Sequence, residues 1–292
     1  MNSFREKHFT FFISAGRTGT RFLGTKLQSI INNSYSVHEP DVFTPRIGYD
    51  LFKKIKLFGI YHLLIGKLTG KTGIRNLSQN YLAGKLNKDE LIKQIIEHRR
   101  KYYQKIEQDL IIESYSGWYG CIPAIQQLYN NYKIVVITRH PVDWIGSCLK
   151  WGNLYGEKDW VAKLGLPRLN PDMIGDNEYI SLWDNFTRIE KLCWTYKTQY
   201  ETMLKFTNSD PNVKLIKFED IFKSNDKYEH LDALLEFISS FSDYQFKYNI
   251  PDTVLENKVH KSQKNSTRNT TEVLDSVKKI CFRISEKMGY DL

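Results

Sequence analysis

Hydrophobic positions along this chain fall into two textures that alternate. Short runs of adjacent apolar and β-branched residues stand at Phe9–Ser14, around Tyr35–His38, at Leu110–Glu113, at Lys133–Thr138 and at Lys214–Phe218. Each has the length of a strand. The fourth, Lys-Ile-Val-Val-Ile-Thr, is nearly continuous, as a strand buried on both faces requires. Between these runs the apolar residues recur at helical spacing, which predicts helices over Thr20–Ile31, Lys88–Glu107, Pro123–Asn130, Val142–Lys150, Glu178–Phe206, Leu231–Ser239 and Glu272–Met288. In Lys88–Glu107 the positions Leu91, Ile92, Ile95, Ile96, Tyr102, Tyr103 and Ile106 share a face. Asn87 and Glu90 stand in front of it at capping-box spacing. Strand and helix in alternation predict an α/β fold of three layers, a parallel central sheet flanked by helices.

Two segments interrupt the rhythm. Residues 46–108 hold the long amphipathic helix, and residues 151–177 are rich in Gly, Pro and aromatics, as a long loop is. Both follow strand C-termini, where open α/β sheets bind ligands. No internal repeat or compositional boundary divides the chain, so residues 1–292 read as one domain with two insertions.

Composition narrows the picture only a little. Hydrophobic residues make up 41% and charged residues 26%, and 18 Tyr, 16 Phe and 6 Trp argue for a packed interior. The net charge of +9 favours anionic ligands. Lys and Arg are spread out, dense only at His98–Lys101 and over 258–268, which makes a nucleic-acid tract the weaker reading. Cys121, Cys148, Cys193 and Cys281 form no C-x-x-C pair and read as buried thiols. The longest apolar candidate, Leu57–Leu68, contains His62 and Gly66 and is too short to span a bilayer. The apolar N-terminal stretch runs straight into a candidate ligand loop, so a cytoplasmic protein is expected rather than one with a cleaved signal.

That loop is Ser14-Ala-Gly-Arg-Thr-Gly-Thr-Arg21, between the first strand and the first helix. A small-residue turn in this setting points backbone N–H groups at one phosphate-sized volume. A triphosphate-binding loop reads G-x-x-x-x-G-K-[ST]. Aligned on Gly19, this chain has Ser14 for the first Gly, Thr20 for the Lys and Arg21 for the magnesium-binding hydroxyl. The loop therefore suits a single phosphate without a metal.

A second anion site is written in Ile137-Thr-Arg139-His-Pro141-Val-Asp-Trp-Ile-Gly-Ser147. Arg139 leaves a strand, Pro141 is placed to open a helix, and Ser147 lies in its second turn. Both side chains reach toward the helix start, one with a charged fork and one with a hydroxyl. An isolated R-x-P would be read as an ordinary ion pair, but here it follows a strand and accompanies the loop at 14–21.

The ordered pair resembles the sulfotransferases that use 3′-phosphoadenosine 5′-phosphosulfate (PAPS), with their P-loop NTPase-like fold. Arg17-Thr-Gly-Thr matches the family's 5′-phosphosulfate loop, and Arg139 with Ser147 matches its 3′-phosphate unit at the same eight-residue offset. The late segment Lys214-Leu-Ile-Lys-Phe-Glu-Asp-Ile and the tail Gly289-Tyr-Asp resemble later family features, so the likeness runs from about residue 9 to 291. It implies PAPS as sulfuryl donor, no metal, and a cradle of Gly16, Arg17, Thr18, Gly19, Thr20 and Arg21 clamped by Arg139 and Ser147. Lys261, Lys264 and Arg268 stand where family members carry a loop over the nucleotide. The expected acceptor is a hydroxyl on a carbohydrate-containing or small molecule, with neither nucleic acid nor stable membrane insertion involved.

Sulfuryl transfer needs a base for the acceptor hydroxyl. Glu39, in His38-Glu39-Pro40-Asp41 just past the second strand, is the first candidate by resemblance, and His38 is the alternative. Arg17 would face the transferred group. Glu113, at the end of the third strand, is a lesser candidate for binding acceptor or orienting Arg17. Trp183, Trp194, Tyr196 and Tyr200 read as helix packing, whereas Trp151, Tyr155 and Trp160 could cover a sugar or an adenine. Two rival functions remain at this level: a kinase with a degenerate phosphate loop, and a basic protein binding nucleic acid or an anionic surface.

Overall fold

A computed structural model describes residues 6–42, 49–163, 168–256 and 270–292. The chain runs through β1 (His8–Ser14), α1 (Thr20–Lys26), β2 (Ser34–His38), α2 (Tyr49–Phe58), α3 (Ile74–Leu82), α4 (Lys88–Tyr103) and β3 (Leu110–Ser114). It continues through α5 (Ile122–Leu128), β4 (Asn131–Thr138), α6 (Pro141–Trp151), α7 (Arg188–Thr207), β5 (Val213–Lys217), α8 (Phe218–Phe222), α9 (Lys227–Ser239) and α10 (Thr270–Lys287). The five strands form one parallel sheet in the order β2-β3-β1-β4-β5.

Period-two alternation in the strands fills two cores, one on each face. Phe9, Phe11, Ile13, Ile134 and Val136 point to the face covered by α3, α4, α5, α6, α7 and α10. Phe12, Ile112, Val135 and Ile137 point to the face covered by α1, α8 and α9. The expected three-layer α/β architecture is what the chain adopts. The four cysteines are buried in the first core. Among the described residues no helix is long and apolar enough to cross a membrane.

The helix expected over Glu178–Phe206 is broken. Short turns at Asn177–Ile180 and Trp183–Asn185 come first, and Phe186 adopts an extended conformation at φ −64° and ψ 131°. Thr187 then caps α7. Its Oγ1 accepts from the Glu190 amide at 3.2 Å, and Glu190 Oε2 accepts from the Thr187 amide at 2.9 Å. The predicted capping box of α4 is present as read, with Asn87 Oδ1 and Glu90 Oε2 each accepting at 2.9 Å.

The helices after β1 and β4 leave toward opposite faces: α1 packs in the second core and α6 in the first. Adjacent parallel strands whose following helices diverge leave a crevice at their C-terminal edge. The loop at 14–21 and the turn at 139–141 both open into it.

Candidate active site

The loop after β1 is shaped by its own side chains. Ser14 is buried at the strand end; its Oγ accepts from the Gly16 amide at 3.0 Å and from Thr18 Oγ1 at 2.8 Å. Gly16, Arg17 and Gly19 all have positive φ, at 81°, 59° and 76°. Consecutive amides around such left-handed residues turn to one side and form an anion-binding concavity. Gly19 also lacks room: a Cβ there would come within 2.5 Å of the Phe222 ring. Arg17 tolerates a conformation that costs an ordinary side chain about 1–3 kcal/mol, and strain of this kind is held in place by surrounding contacts.

Those contacts come from the β4–α6 unit. Arg139 donates through a terminal nitrogen to the Arg17 carbonyl at 2.7 Å, and Trp144 Nε1 donates to the Gly16 carbonyl at 2.8 Å. Arg17 Nε donates to Ser147 Oγ at 3.1 Å, and its guanidinium lies 5.5 Å from the ring centre of half-exposed Trp151. The two anion sites read from sequence are therefore interlocked. Arg139 is held in turn. Its guanidinium stacks 4.8 Å above Phe218, and its carbonyl accepts from Tyr196 OH at 2.6 Å. Tyr200 OH donates to the Ile137 carbonyl at 2.8 Å, so these two buried tyrosines, expected only as packing, also fix the end of β4.

Glu219 is a site residue that sequence reading passed over. Its Oε1 accepts from the His140 amide at 3.2 Å, and its Oε2 accepts from Tyr290 OH at 2.9 Å. Tyr290 OH also lies 3.0 Å from Thr138 Oγ1, so the C-terminal tail and α8 both brace the Arg139 turn. The signal is the Phe-Glu-Asp run that follows β5.

Donor chemistry and shape fit two anionic groups. Arg139 Nε is buried with no hydrogen-bond partner among the described residues, although the same guanidinium engages Arg17. Thr20 is buried, its carbonyl accepting from Ser114 Oγ at 2.8 Å, and Thr18 is turned inward on Ser14. These two threonines can serve an anion through their amides. Arg21 is exposed at the start of α1. Lys261, Lys264 and Arg268 lie outside the described residues. Among those described, no cluster of His, Cys, Asp and Glu is suited to hold a metal ion.

His38 and Glu39 stand at the end of β2. His38 Nδ1 lies 3.0 Å from the Ser114 carbonyl, which fixes it as the protonated nitrogen. Burial, only partly opposed by Glu39, lowers the His38 pKa, so the ring is neutral near pH 7 with Nε2 unprotonated. Nε2 lies 3.9 Å from Glu39 Oε2, too far for a hydrogen bond. Glu39 is half-buried and sits at φ 48°. Arg75, at the start of α3, shares the field of Glu39 and donates to Ser116 Oγ at 3.2 Å. Ser116 borders Gly16, so Arg75 lies on the same edge as the base candidates.

Glu113 does not orient Arg17. It is fully buried and accepts from Arg99 at 2.9 and 3.2 Å, from Tyr103 OH at 2.5 Å and from Trp118 Nε1 at 2.9 Å. Arg99 also reaches Asp41 at 3.3 Å, and Asp41 lies 3.0 Å from His62 Nε2. Burial would raise the Asp41 pKa, but Arg99 and His62 more than reverse this and hold the carboxylate well below the usual range. Tyr155 packs edge-on against Trp183, 5.9 Å between ring centres, and belongs to the aromatic packing. The Trp160 side chain lies outside those described.

No family model and no curated protein matches the chain. Among solved structures it is similar to the sulfotransferase domain of the Synechococcus PCC 7002 olefin synthase, with 14% identity over 98% of this chain and 96% of that one, at TM-score 0.46. It is similar to the sulfotransferase domain of the curacin biosynthetic pathway, with 14% identity over 98% and 99% at TM-score 0.47. A sulfotransferase from Alicyclobacillus acidocaldarius aligns with 15% identity over 97% and 96% at TM-score 0.45.

Proposed function

We propose that the protein is a PAPS-dependent sulfotransferase that moves a sulfuryl group to an acceptor hydroxyl. The observation that carries this reading is the interlock of Arg17, Ser147 and Arg139. Two anion-binding units from adjacent strands meet at one crevice, and neither has the lysine or the metal-binding hydroxyl that a triphosphate site needs. The left-handed turn from Gly16 to Gly19 would hold the 5′-phosphosulfate, and Arg139 with Ser147 would hold the 3′-phosphate.

PAPS, when bound, supplies the sulfuryl group and departs as adenosine 3′,5′-bisphosphate. Arg17 stabilises the charge that gathers on the leaving oxygen, from a position held by Ser147 and Trp151. Glu39 would take the acceptor proton at the β2 edge, and attack in line with the leaving 5′-phosphate is the geometry this reading requires. Arg75 and Ser116 line the acceptor side. The acceptor class is a carbohydrate-containing or small-molecule alcohol.

Calorimetric titration tests the reading. Adenosine 3′,5′-bisphosphate should bind at least about tenfold tighter than AMP, the difference one charge-assisted clamp provides, and Arg139→Ala should abolish the preference. Equal affinity for the two nucleotides overturns it. Magnesium-dependent ATP turnover would establish the kinase alternative instead.

A further inference from the structure

Large apolar side chains gather on the surface in one short stretch of the 46–108 insertion. Phe52, Ile60, Tyr61, Leu64, Ile65 and Leu68 are between 38% and 68% exposed. The other exposed large hydrophobics among the described residues, such as Trp151, Tyr244 and Phe282, are dispersed along the chain. Isolated apolar residues on a surface are ordinary, but a contiguous set marks an interaction site.

The stretch is helical, a π turn over Tyr61–Ile65 running into Gly66–Leu68. Ile60, Tyr61, Leu64, Ile65 and Leu68 recur at the spacing that places them on one side of it. The other side is buried and tied down. Leu63 is in the core, His62 Nε2 lies 3.0 Å from Asp41, and Gly66 packs so closely on Thr72 that a Cβ would come within 2.5 Å of it. The apolar stripe thus faces away from the protein on a helix whose reverse face is fixed.

Charge says what covers it. Residues 49–71 carry five lysines, Lys53, Lys54, Lys56, Lys67 and Lys71, against the single acid Asp50. Lys53, Lys56 and Lys71 are exposed. A second copy of this chain, meeting the patch through a two-fold axis, would set these lysines against themselves. Nucleic acid would answer the charge and leave the apolar side chains in water. Aliphatic and aromatic residues set among lysines are the composition of a segment that lies in a lipid headgroup region. We infer that the segment 52–71, the end of α2 and the helical turns over 61–68 with their flanking lysines, docks this protein on an anionic membrane surface, lying along the interface without crossing it.

The docking rests on the patch alone. Its consequence for the reaction rests on the proposed sulfuryl transfer: Lys54 Nζ donates to the Val42 carbonyl at 2.9 Å, so the patch is fastened beside the Glu39 turn and an acceptor hydroxyl would arrive from the lipid surface.

Sedimentation of the full chain with vesicles tests the docking without any assay of activity. Protein should pellet with phosphatidylcholine–phosphatidylserine vesicles at low salt, and about tenfold less with phosphatidylcholine alone. The triple change Ile60→Ser, Leu64→Ser, Ile65→Ser should lower binding to the mixed vesicles about tenfold at an unchanged melting temperature, since all three side chains are exposed. Ile65→Trp supplies a reading that does not depend on losing function: brominated lipid should quench its fluorescence beyond that of the parent. Failure of the parent to pellet with mixed vesicles overturns the inference. So does equal binding by the triple variant, which would assign retention to net charge. A parent that sediments as a dimer, and an Ile65→Ser variant that sediments as a monomer, would assign the patch to a second copy and overturn it too.

Discussion

Arg17 Nε donates to Ser147 Oγ at 3.1 Å, which ties the turn after the first strand to the helix after the fourth. A flexible cation is thereby given one orientation before any ligand arrives. Ser147→Ala should leave Arg17 charged with only Trp151 beside it and remove a hydroxyl from the proposed 3′-phosphate clamp, so kcat/KM for PAPS should fall about tenfold. Arg17→Ala should cost about 10²–10³ in kcat, as loss of a charge-stabilising donor does. Steady-state kinetics with PAPS check both, and Arg17→Lys should recover part of the loss because it keeps charge without the fork.

Glu39→Gln should lower kcat by about 10²–10⁴ and remove the acid limb of the pH–rate profile, as loss of a general base does. His38→Asn should have a smaller effect, because Nδ1 is committed to the Ser114 carbonyl. A rate profile that loses its acid limb only in the His38 variant would move the role to Nε2.

Glu219 touches no proposed ligand, yet it holds the His140 amide and the Tyr290 hydroxyl. Glu219→Ala should weaken adenosine 3′,5′-bisphosphate binding about threefold to tenfold, while AMP binding changes little, since one or two neutral-to-charged hydrogen bonds support the turn. Titration calorimetry with both nucleotides measures the split.

Arg99 and Glu113 are both fully buried, and removing one partner leaves the other charged and unmatched. Arg99→Met should destabilise the fold by about 3–5 kcal/mol, read as a shift of the urea midpoint. Replacing Arg99 and Glu113 together by apolar residues should cost less than that single change, because neither partner is then left charged and alone, and Asp41 keeps Lys67 and His62 beside it.

His98 is held neutral. Burial, His62 and Arg99 lower its pKa to about 3, with only Asp41 among its nearest charges opposing. The unfolded chain therefore binds a proton that the folded chain refuses between about pH 6.5 and pH 3. The sign follows: this contribution is complete above pH 6.5 and is lost on acidification, by at most about 1.4 kcal/mol per pH unit. Urea unfolding at several pH values should show a shallower acid loss for His98→Asn than for the parent.

β1, β3 and β4 were legible because both faces of the sheet are buried there, and runs such as Lys133–Thr138 can serve little else; the half-buried edge strands β2 and β5 were legible only as short apolar runs. The loop at 14–21 and the Arg139 unit were legible because backbone geometry and charge are written in adjacent residues. The break before α7 was missed although Thr187 and Glu190 carry a capping pattern, because the aromatic residues around Trp183 continue a helical stripe across it. Glu113 was misread for a different reason. Its partner Arg99 lies across the core on α4, and nothing local to Leu110–Ser114 announces a buried cation. Glu219 likewise acts on an amide far away in sequence.

The ion cluster of Arg99, Asp41 and Glu113 has an implication for how this scaffold diversifies. Asp41 follows the candidate base by two residues, and its counter-charge is supplied by Arg99 of α4 and by Lys67, with His62 Nε2 3.0 Å away. Exchanging residues 49–103 for a segment from another protein would alter what the surface meets and also withdraw the partners that seat the turn carrying Glu39. Chimeras that keep Arg99 and His62 should therefore retain turnover where those that discard them do not. New acceptor preferences would have to evolve by point changes on the outer face of this segment, with its inner face inherited unchanged.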